Sequence, residues 1–249
     1  MRKVIHLFFT AVQFLTRLPV PTGDFHADDL ANSLVFFPVV GLLLAAGGLL
    51  LHFFLATHTA NHVVILVILL YLVLLTGALH EDALADAADG FGGGCEKEQI
   101  LAIMRDSRIG SYGAIAIAFS LLVRFVLLTE LPTMKFTAYF AAGQVLSRWT
   151  PLPLSFFLLP AQAGSGQGSR VAGKVSRFSF VCGTVLALGS SALFLKDALL
   201  WAGSIAVLIT AITGFYYQRR LGGITGDCLG ATIQLAEMGV YLTGVVVRG

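Results

Sequence analysis

The sequence predicts an all-α, polytopic integral membrane helix bundle with about six to eight membrane helices, one of them short or interfacial. Hydrophobic residues make up 57% of the 249 residues and charged residues only 12%, whereas a typical soluble domain is about 25% charged. The mean hydropathy is +0.85. Helices are expected because they satisfy their own backbone polar groups in lipid. No repeat or linker divides the chain, so we expect a single domain over residues 1–249.

Apolar runs follow one another along the chain with short polar connections. The first, from 4 to about 16, is short for a span and carries His6 and Gln13, so we expect it to lie in the interface or to enter the membrane only partway. Pro19 and Pro21 end this run. The further runs are candidate spans at 33–57, 63–79, 114–129, 136–159, 178–195, 198–217 and 229–247.

Basic residues are distributed unequally between the two sets of connections. If the spans alternate in direction, the connections at 80–113, 160–177 and 218–228 share one side of the membrane. That side carries Lys97, Arg105, Arg108, Arg170, Lys174, Arg177, Arg219 and Arg220. The opposite side carries Lys135 and Lys196, with Arg248 near the C-terminus. Because cytoplasmic loops are enriched in Lys and Arg, the richer side is predicted to be cytoplasmic.

Charge and cysteine content exclude some classes of partner and site. The net charge is only +2 and the chain has no basic blocks, which argues against nucleic acid as a partner. Cys95, Cys182 and Cys228 have no metal-type spacing, and an odd number does not suggest a disulfide framework. We interpret the cysteines as ordinary small residues.

The most unusual stretch is His80–Gly90, which places four carboxylates in an otherwise apolar chain. In a helix, Asp82, Asp86 and Asp89 stand at i, i+4 and i+7 and share one stripe. Carboxylates on one stripe repel each other, and a divalent cation offsets that repulsion. An all-oxygen site with few ligands suits Mg²⁺ that is shared with substrate phosphates. The alternative interpretation is an exposed acidic loop beside the membrane.

The segment after the acidic stretch is predicted to bring cations opposite the carboxylates. Its glycine-rich part, 91–94, is expected to form a hinge or close-approach loop. Residues 96–104 have the pattern of a short amphipathic helix. Arg105 and Arg108 follow this helix, and we expect them to face the carboxylates across one loop.

A second glycine-rich stretch, 219–230, opens the last span with paired cations, a hydroxyl and a carboxylate. Glycines free backbone N–H groups for phosphate oxygens, and the following helix N-terminus attracts anions. Thr225 and Asp227 therefore become candidate site residues, with Asp227 a candidate base. The alternative is a membrane-interface anchor made of glycines and arginines.

Ionisable residues also occur within the predicted spans. Glu237 shares a helix face with Gly230 and Gln234, and a carboxylate inside an apolar helix is costly enough to indicate function. Glu237 as an ion-pair partner of Arg148 or Arg124 is the equally open alternative. Outside these spans, His80 is a candidate base or metal ligand, although a single His is not diagnostic, and Lys174 follows a glycine- and serine-rich loop.

Several separate motifs, in order along most of the chain, resemble the cobalamin synthases, also called adenosylcobinamide-GDP ribazoletransferases. They occupy 14–19, 37–41, 80–90, 103–110, 147–149 and 221–230. The resemblance implies the last assembly step of coenzyme B12, in which α-ribazole or its 5′-phosphate displaces GMP from adenosylcobinamide-GDP with Mg²⁺. It also implies a location in the cytoplasmic (inner) membrane of a prokaryote, with the site on the cytoplasmic side. The expected partners are these small molecules and the lipid bilayer, and a homo-oligomer is left open.

The resemblance and the residue patterns together give the expected site. The expected catalytic residues are His80, Asp82 and Asp227. The expected metal ligands are Asp82, Asp86 and Asp89. The expected substrate-binding residues are Glu81, Arg105, Asp106, Ser107, Arg108, Arg148, Lys174, Arg219, Arg220, Thr225 and Glu237. Because no cysteine has an adjacent His to activate it, we expect direct in-line displacement without a covalent intermediate.

Two kinds of observation bear on this assignment. The chain departs from the family pattern at Glu81 and Ala83, where an apolar residue and Gly are common, and at Gln234, where Glu is common. The alternatives are another membrane Mg²⁺-dependent phosphotransferase or a prenyltransferase acting on a diphosphate, and a transporter with an acidic cation path. A CDP-alcohol phosphotransferase does not fit, because its Ala-Arg after Asp-Gly is replaced here by 91–94.

Overall fold

The computed structural model describes residues 2–21, 27–162 and 166–247, so Arg248, counted above, lies outside the described residues. Within them the chain is helical, and its β-type pairing is a single isolated bridge between Pro160 and Ile224. The α-helices are α1 Arg2–Leu15, α2 Ala27–Ser33, α3 Phe37–Leu55, α4 Asn61–Thr76, α5 Leu79–Gly93, α6 Lys97–Met104, α7 Ser111–Glu130, α8 Thr133–Trp149, α9 Pro151–Phe157, α10 Gly166–Val171, α11 Arg177–Leu195, α12 Leu199–Leu221 and α13 Gly226–Val246. Short 3₁₀ turns at Leu34–Phe36 and Lys196–Ala198 precede α3 and α12.

The long apolar helices confirm the predicted all-α membrane bundle. Five helical segments of the described chain are long and apolar enough to cross a membrane: Asp29–Leu55, α7, α11, α12 and α13. A sixth results if α4 and α5, which are bent by 84° relative to each other, form one broken span. The count of five or six therefore lies just below or at the low end of the predicted range of about six to eight. Large apolar side chains such as Phe119, Val185 and Phe215 are exposed on these helices, as lipid-facing residues would be.

The predicted span 136–159 is instead two helices, α8 and α9. Pro151 begins α9, where its missing N–H is tolerated. Every residue of α8 from Tyr139 to Trp149 is buried, and α8 packs against α3, α11 and α13. Hydropathy alone does not distinguish a helix buried inside a bundle from one that faces lipid. α8 is therefore the central helix of the bundle.

The turn between α4 and α5 redirects the acidic stretch. Gly77 and Ala78 both adopt left-handed backbone conformations, with φ of 64° and 57°. Such a φ costs a residue with a Cβ about 1 kcal/mol or more, so Ala78 is a strained position. The backbone N–H of Arg17 donates to the carbonyl of Leu75 at 2.7 Å and attaches the chain after α1 to this turn. As a result α5 turns by 84° from the direction of α4 and packs against α7 and α13.

The glycine-rich segment 91–94 was expected to form a loop, and this expectation is wrong because α5 continues to Gly93. Packing overrides the low helix propensity of glycine here. A Cβ at Gly90 would overlap Met104, and one at Gly92 would overlap the ring of Tyr112. The glycines thus let α6 and α7 approach α5 closely. The neighbouring prediction of an amphipathic helix is confirmed by α6, which buries Ile100 and Met104.

Candidate active site

A cleft of about 100 Å³ opens where the first turns of α5 and α13 meet. Asp82 of α5 and Asp227 of α13 line its polar end. The remaining wall is mostly apolar and comes from α1, α3, α9, α10 and the 3₁₀ turn before α3. Two stretches that stood out separately in the sequence, 80–90 and 219–230, therefore meet at one cleft.

Four carboxylates lie near one another where α5 meets α13, and two of them, Asp82 and Asp227, line the cleft. The stripe predicted on α5 is present, and the like charges of Asp82 and Asp89 repel the carboxylate of Asp86. Asp227 contributes the strongest like-charge repulsion on Asp86, although it comes from α13. Asp82 is exposed, whereas Asp86 and Asp227 are half-buried. The spacing within α5 was predictable, but the contribution of α13 required the fold.

Asp89 has protein partners that the stripe did not indicate. Its Oδ2 accepts the backbone N–H of Gly110 at 2.7 Å, and its Oδ1 accepts that of Gly113 at 2.8 Å. These are N–H groups of the first turn of α7, which an acidic group stabilises. A Cβ at either glycine would overlap the Asp89 carboxylate. Asp89 therefore joins α5 to the start of α7.

The oxygen donors at the polar end suit a divalent cation that keeps several of its waters. Asp82, Asp86 and Asp227 offer carboxylates beside the cleft, while both oxygens of Asp89 already accept hydrogen bonds. Among the residues described, no three His, Cys, Asp or Glu side chains form a preformed metal cage. Mg²⁺ is often held by only one or two protein carboxylates together with water and substrate phosphates. The donors fit a cation shared with a bound diphosphate.

A buried polar network lies behind the cleft and begins at Glu81. Arg124 of α7 donates through Nη2 to Glu81 Oε1 at 2.8 Å, and Gln234 of α13 donates through Nε2 to the same oxygen at 3.0 Å. Ser120 donates to Gln234 Oε1 at 3.0 Å. Glu81 and Gln234 are thus in direct contact through a hydrogen bond.

The second half of the network centres on Glu237, which is fully buried. Arg148 of α8 donates through Nη1 to Glu237 Oε2 at 2.8 Å, and Arg124 Nη1 lies 3.7 Å from Oε1. Tyr241 donates to Glu237 Oε1 at 3.2 Å and accepts from Gln144 Nε2 at 2.6 Å. The ion-pair interpretation of Glu237 is therefore confirmed, with both arginines as partners.

The network balances its charges and connects four helices. It contains two arginines and two glutamates, all less than a tenth exposed, from α5, α7, α8 and α13. An unpaired charge at such a depth is strongly unfavourable, so these helices are held in one relative arrangement. Ser120, Gln144 and Tyr241 were not singled out in the sequence. Two of them were detectable, since Ser120 precedes Arg124 and Tyr241 follows Glu237 by four residues, one helical turn.

His80 lies between the cleft and the network. Its side chain is only 2% exposed and lines the cleft. Its Nε2 has no hydrogen-bond partner in the described part of the chain. A buried polar atom without a partner is uncommon and calls for a ligand or water. His80 therefore stays a candidate for contact with a bound molecule.

Most of the predicted cations lie in three places: the α6–α7 connection, the last turn of α12 and the α10–α11 connection. Arg108 is exposed, and its Nε donates to Asp106 at 3.0 Å; hydrogen bonding to Arg108 lowers the pKa of Asp106 to about 2. Arg105 and Ser107 are exposed on the same connection. Arg220 donates through Nη2 to the carbonyl of Gly94 at 2.9 Å, which attaches the end of α12 to the α5–α6 connection. Arg219 and Lys174 are exposed.

The glycine-rich turn before α13 is occupied mainly by contacts within the protein. Thr225 caps α13, its Oγ1 accepting the N–H of Cys228 at 3.2 Å and donating to Asp227 Oδ2 at 3.3 Å. A Cβ at Gly223 would overlap the backbone of Leu159. Ile224 also exchanges backbone hydrogen bonds with the 159–161 segment. The turn thereby fixes the position of Asp227 at the cleft.

Comparison with known proteins matches this chain along nearly its whole length. A family model described as cobalamin-5-phosphate synthase matches residues 7–246. A protein named adenosylcobinamide-GDP ribazoletransferase from Ralstonia nicotianae is 38% identical, with 96% of this chain and 94% of the relative covered. Proteins of the same name from Azorhizobium caulinodans and Vibrio parahaemolyticus are 40% and 35% identical, covering 95% and 98% of this chain and 94% and 93% of the relatives. No solved structure matches the chain.

Proposed function

Because the chain belongs to the cobalamin-5-phosphate synthase family, we propose that it is an adenosylcobinamide-GDP ribazoletransferase. It would join adenosylcobinamide-GDP with α-ribazole, or α-ribazole 5′-phosphate, and release GMP. This is the last assembly step of adenosylcobalamin. The observation that carries the proposal is the meeting of the α5 acids with Asp227 of α13, with Asp82 and Asp227 lining one cleft.

Mg²⁺ is the cofactor that the acids at this cleft favour. Asp82, Asp86 and Asp227 would hold it, with Asp89 retained as the partner of α7. When bound, it would neutralise negative charge on the diphosphate and on the departing GMP. Beyond this charge neutralisation, the protein acts by placing the substrates and by accepting a proton.

The proposed reaction is a single displacement at phosphorus. A ribose hydroxyl of the ribazole attacks the phosphorus that is esterified to the cobinamide arm, and the bond from that phosphorus to GMP breaks. Asp82, Asp227 or His80 accepts the hydroxyl proton, and GMP leaves with the bonding electron pair. The product is a phosphodiester between the cobinamide arm and the ribose.

The cysteines support a mechanism without a covalent intermediate. Cys228 is fully buried, and its Sγ accepts a hydrogen bond from Thr225 at 3.4 Å. Cys95 is exposed on the α5–α6 connection, where its backbone N–H bonds to Gln99. Neither thiol has a His partner within the described residues. A deprotonated, activated thiol is what covalent catalysis by cysteine would need.

The cationic connections are proposed to receive the phosphates on the cytoplasmic side of the inner membrane. Arg105, Arg108, Arg219 and Arg220 belong to the connections rich in Lys and Arg, which the positive-inside tendency assigns to the cytoplasm. Guanidinium groups bind phosphate oxygens in a bidentate manner. A bulky corrinoid could then rest in the lipid interface while its diphosphate reaches the acids.

The test is release of GMP from adenosylcobinamide-GDP by the purified, lipid-reconstituted protein. Release is expected only when α-ribazole, or its phosphate, and Mg²⁺ are both present. Asp82→Asn is expected to lower kcat at least about a hundredfold. Glu130→Gln, at the exposed far end of α7, serves as the matched control. Release of GMP without ribazole, or no turnover at any Mg²⁺ concentration, would refute the proposal.

A further inference from the structure

The wall of the cleft is chemically divided into a polar end and a flat apolar part. Asp82 and Asp227 mark the polar end. Phe14 and Phe37 lie in the apolar part with their rings stacked, 5.7 Å between centroids and 20° between planes. Val171 of α10 closes the cleft from another side. Such a wall suits a planar apolar ring that carries a polar group at one end.

His80 adds a polar contact inside this cleft. Its ring is buried and lines the cavity, and Nε2 lacks a partner in the part of the chain that the structure describes. An imidazole ring nitrogen can donate or accept a hydrogen bond, depending on the tautomer. A ligand with a single ring nitrogen would satisfy the orphan atom.

The two substrates of the proposed function differ sharply in how they match this cleft. At about 100 Å³ the cleft is smaller than the pockets of about 300–1,000 Å³ that enclose drug-sized molecules, so it suits one compact ring and not a large cofactor. The corrinoid is much larger and carries many amide groups, for which the apolar wall offers no partners. The ribazole is a nucleoside with a flat, uncharged dimethylbenzimidazole base. Its base has one ring nitrogen that is not bonded to ribose.

We propose that this cleft binds the aromatic base of the ribazole, with the ribose at the Asp82 and Asp227 end. This inference rests on the proposed function. The carboxylates of Asp82 and Asp227 can accept hydrogen bonds from ribose hydroxyls. The same placement sets a ribose hydroxyl beside a group that can accept its proton.

A substitution that fills the cleft tests the assignment. Val171→Phe puts a phenyl ring in place of a small side chain in the cleft wall. Val185→Phe makes the same change at a lipid-facing position of α11 that is 63% exposed. Val171→Phe is expected to raise the KM for α-ribazole about tenfold or more. The KM for adenosylcobinamide-GDP should stay within about twofold of that of Val185→Phe. A rise in the corrinoid KM alone, or no rise in either, would overturn the inference.

A second measurement needs no variant and decides the matter if Val171→Phe does not fold. Free 5,6-dimethylbenzimidazole is added to the wild-type protein during turnover. Inhibition that is competitive with α-ribazole and not with adenosylcobinamide-GDP supports the base site. Absence of inhibition at millimolar concentration, or competition with the corrinoid, refutes it. Failure of the proposed function is distinct, since the wild-type protein would then release no GMP at all.

Discussion

Replacing Glu237 by Gln removes one of the two carboxylates that balance two buried arginines. Glu237 is the carboxylate that pairs with Arg148, at 2.8 Å, whereas Arg124 keeps Glu81 at the same distance. After the substitution, Arg148 retains a hydrogen bond to Ser147 at 3.0 Å but no carboxylate within the described residues. The buried network would then carry a net positive charge.

The expected loss of stability follows from that unpaired charge. Removing one partner of a buried ion pair typically costs about 3–5 kcal/mol. For a chain of this size, about 2–4 °C of Tm is lost per kcal/mol, so Tm should fall by roughly 6–20 °C. The assay is thermal unfolding in detergent, followed by fluorescence of the buried Trp149. Glu130→Gln is again the matched control, because Glu130 is exposed.

A double variant tests whether charge imbalance is the cause. Glu237→Gln with Arg148→Met restores a neutral network and should recover part of the lost Tm, since a matched apolar replacement of a buried pair is often tolerated. If Glu237→Gln unfolds at the temperature of Glu130→Gln, the network does not stabilise the bundle as reasoned. A double variant that is less stable than both single variants would refute the charge explanation.

Further predictions separate structural from chemical roles. Asp89→Asn should lower the free energy of unfolding by about 1–3 kcal/mol, because one N–H at the start of α7 loses its acceptor. Asp86→Asn should leave Tm unchanged or higher and abolish activity. Equal Tm values for the two variants would contradict this. Cys95 should react with an impermeant thiol reagent in inside-out vesicles and not in right-side-out ones, while the buried Cys228 stays unlabelled; the reverse pattern would invert the topology. Arg108→Ala should raise the KM for adenosylcobinamide-GDP with little change in kcat, and unchanged kinetics would remove it from the phosphate site. Turnover of a chiral thiophosphate analogue should invert configuration at phosphorus, and retention would require a covalent phosphoenzyme.

The sequence predicted best what depends on local spacing. The acidic stripe of α5 and the short helix α6 both follow from periodicity, and the structure contains both. The segment 91–94 was misjudged because glycine propensity is a weak local signal, and close packing against Tyr112 reversed it. The 136–159 run was misjudged for a different reason. Apolar residues are equally suited to lipid and to the interior of a bundle, so hydropathy could not identify α8 as a buried helix.

The site itself was predictable only in parts, because it is assembled from distant segments. The sequence indicated that Asp82 and Asp227 were both of interest, but nothing local showed that they share a cleft. The partner of Asp89 was also hidden, since the N–H groups of Gly110 and Gly113 follow it by more than twenty residues. By contrast, the sequence did indicate that Glu237 could form an ion pair with Arg148 or Arg124. A buried carboxylate needs a cation, and few were available inside the spans.

The buried network and the cleft use different faces of the same two helices. On α5, Asp82 lines the cleft while the adjacent Glu81 joins the network, and on α13 Asp227 lines the cleft while Glu237 joins the network. Rotation of either helix about its axis would bring an ion-paired glutamate out of contact with its arginine, which is strongly unfavourable at this depth. The network therefore fixes how the two acids of the cleft face each other. The ion-paired glutamates and arginines of the network thus hold α5 and α13 in place although their acids at the cleft repel each other.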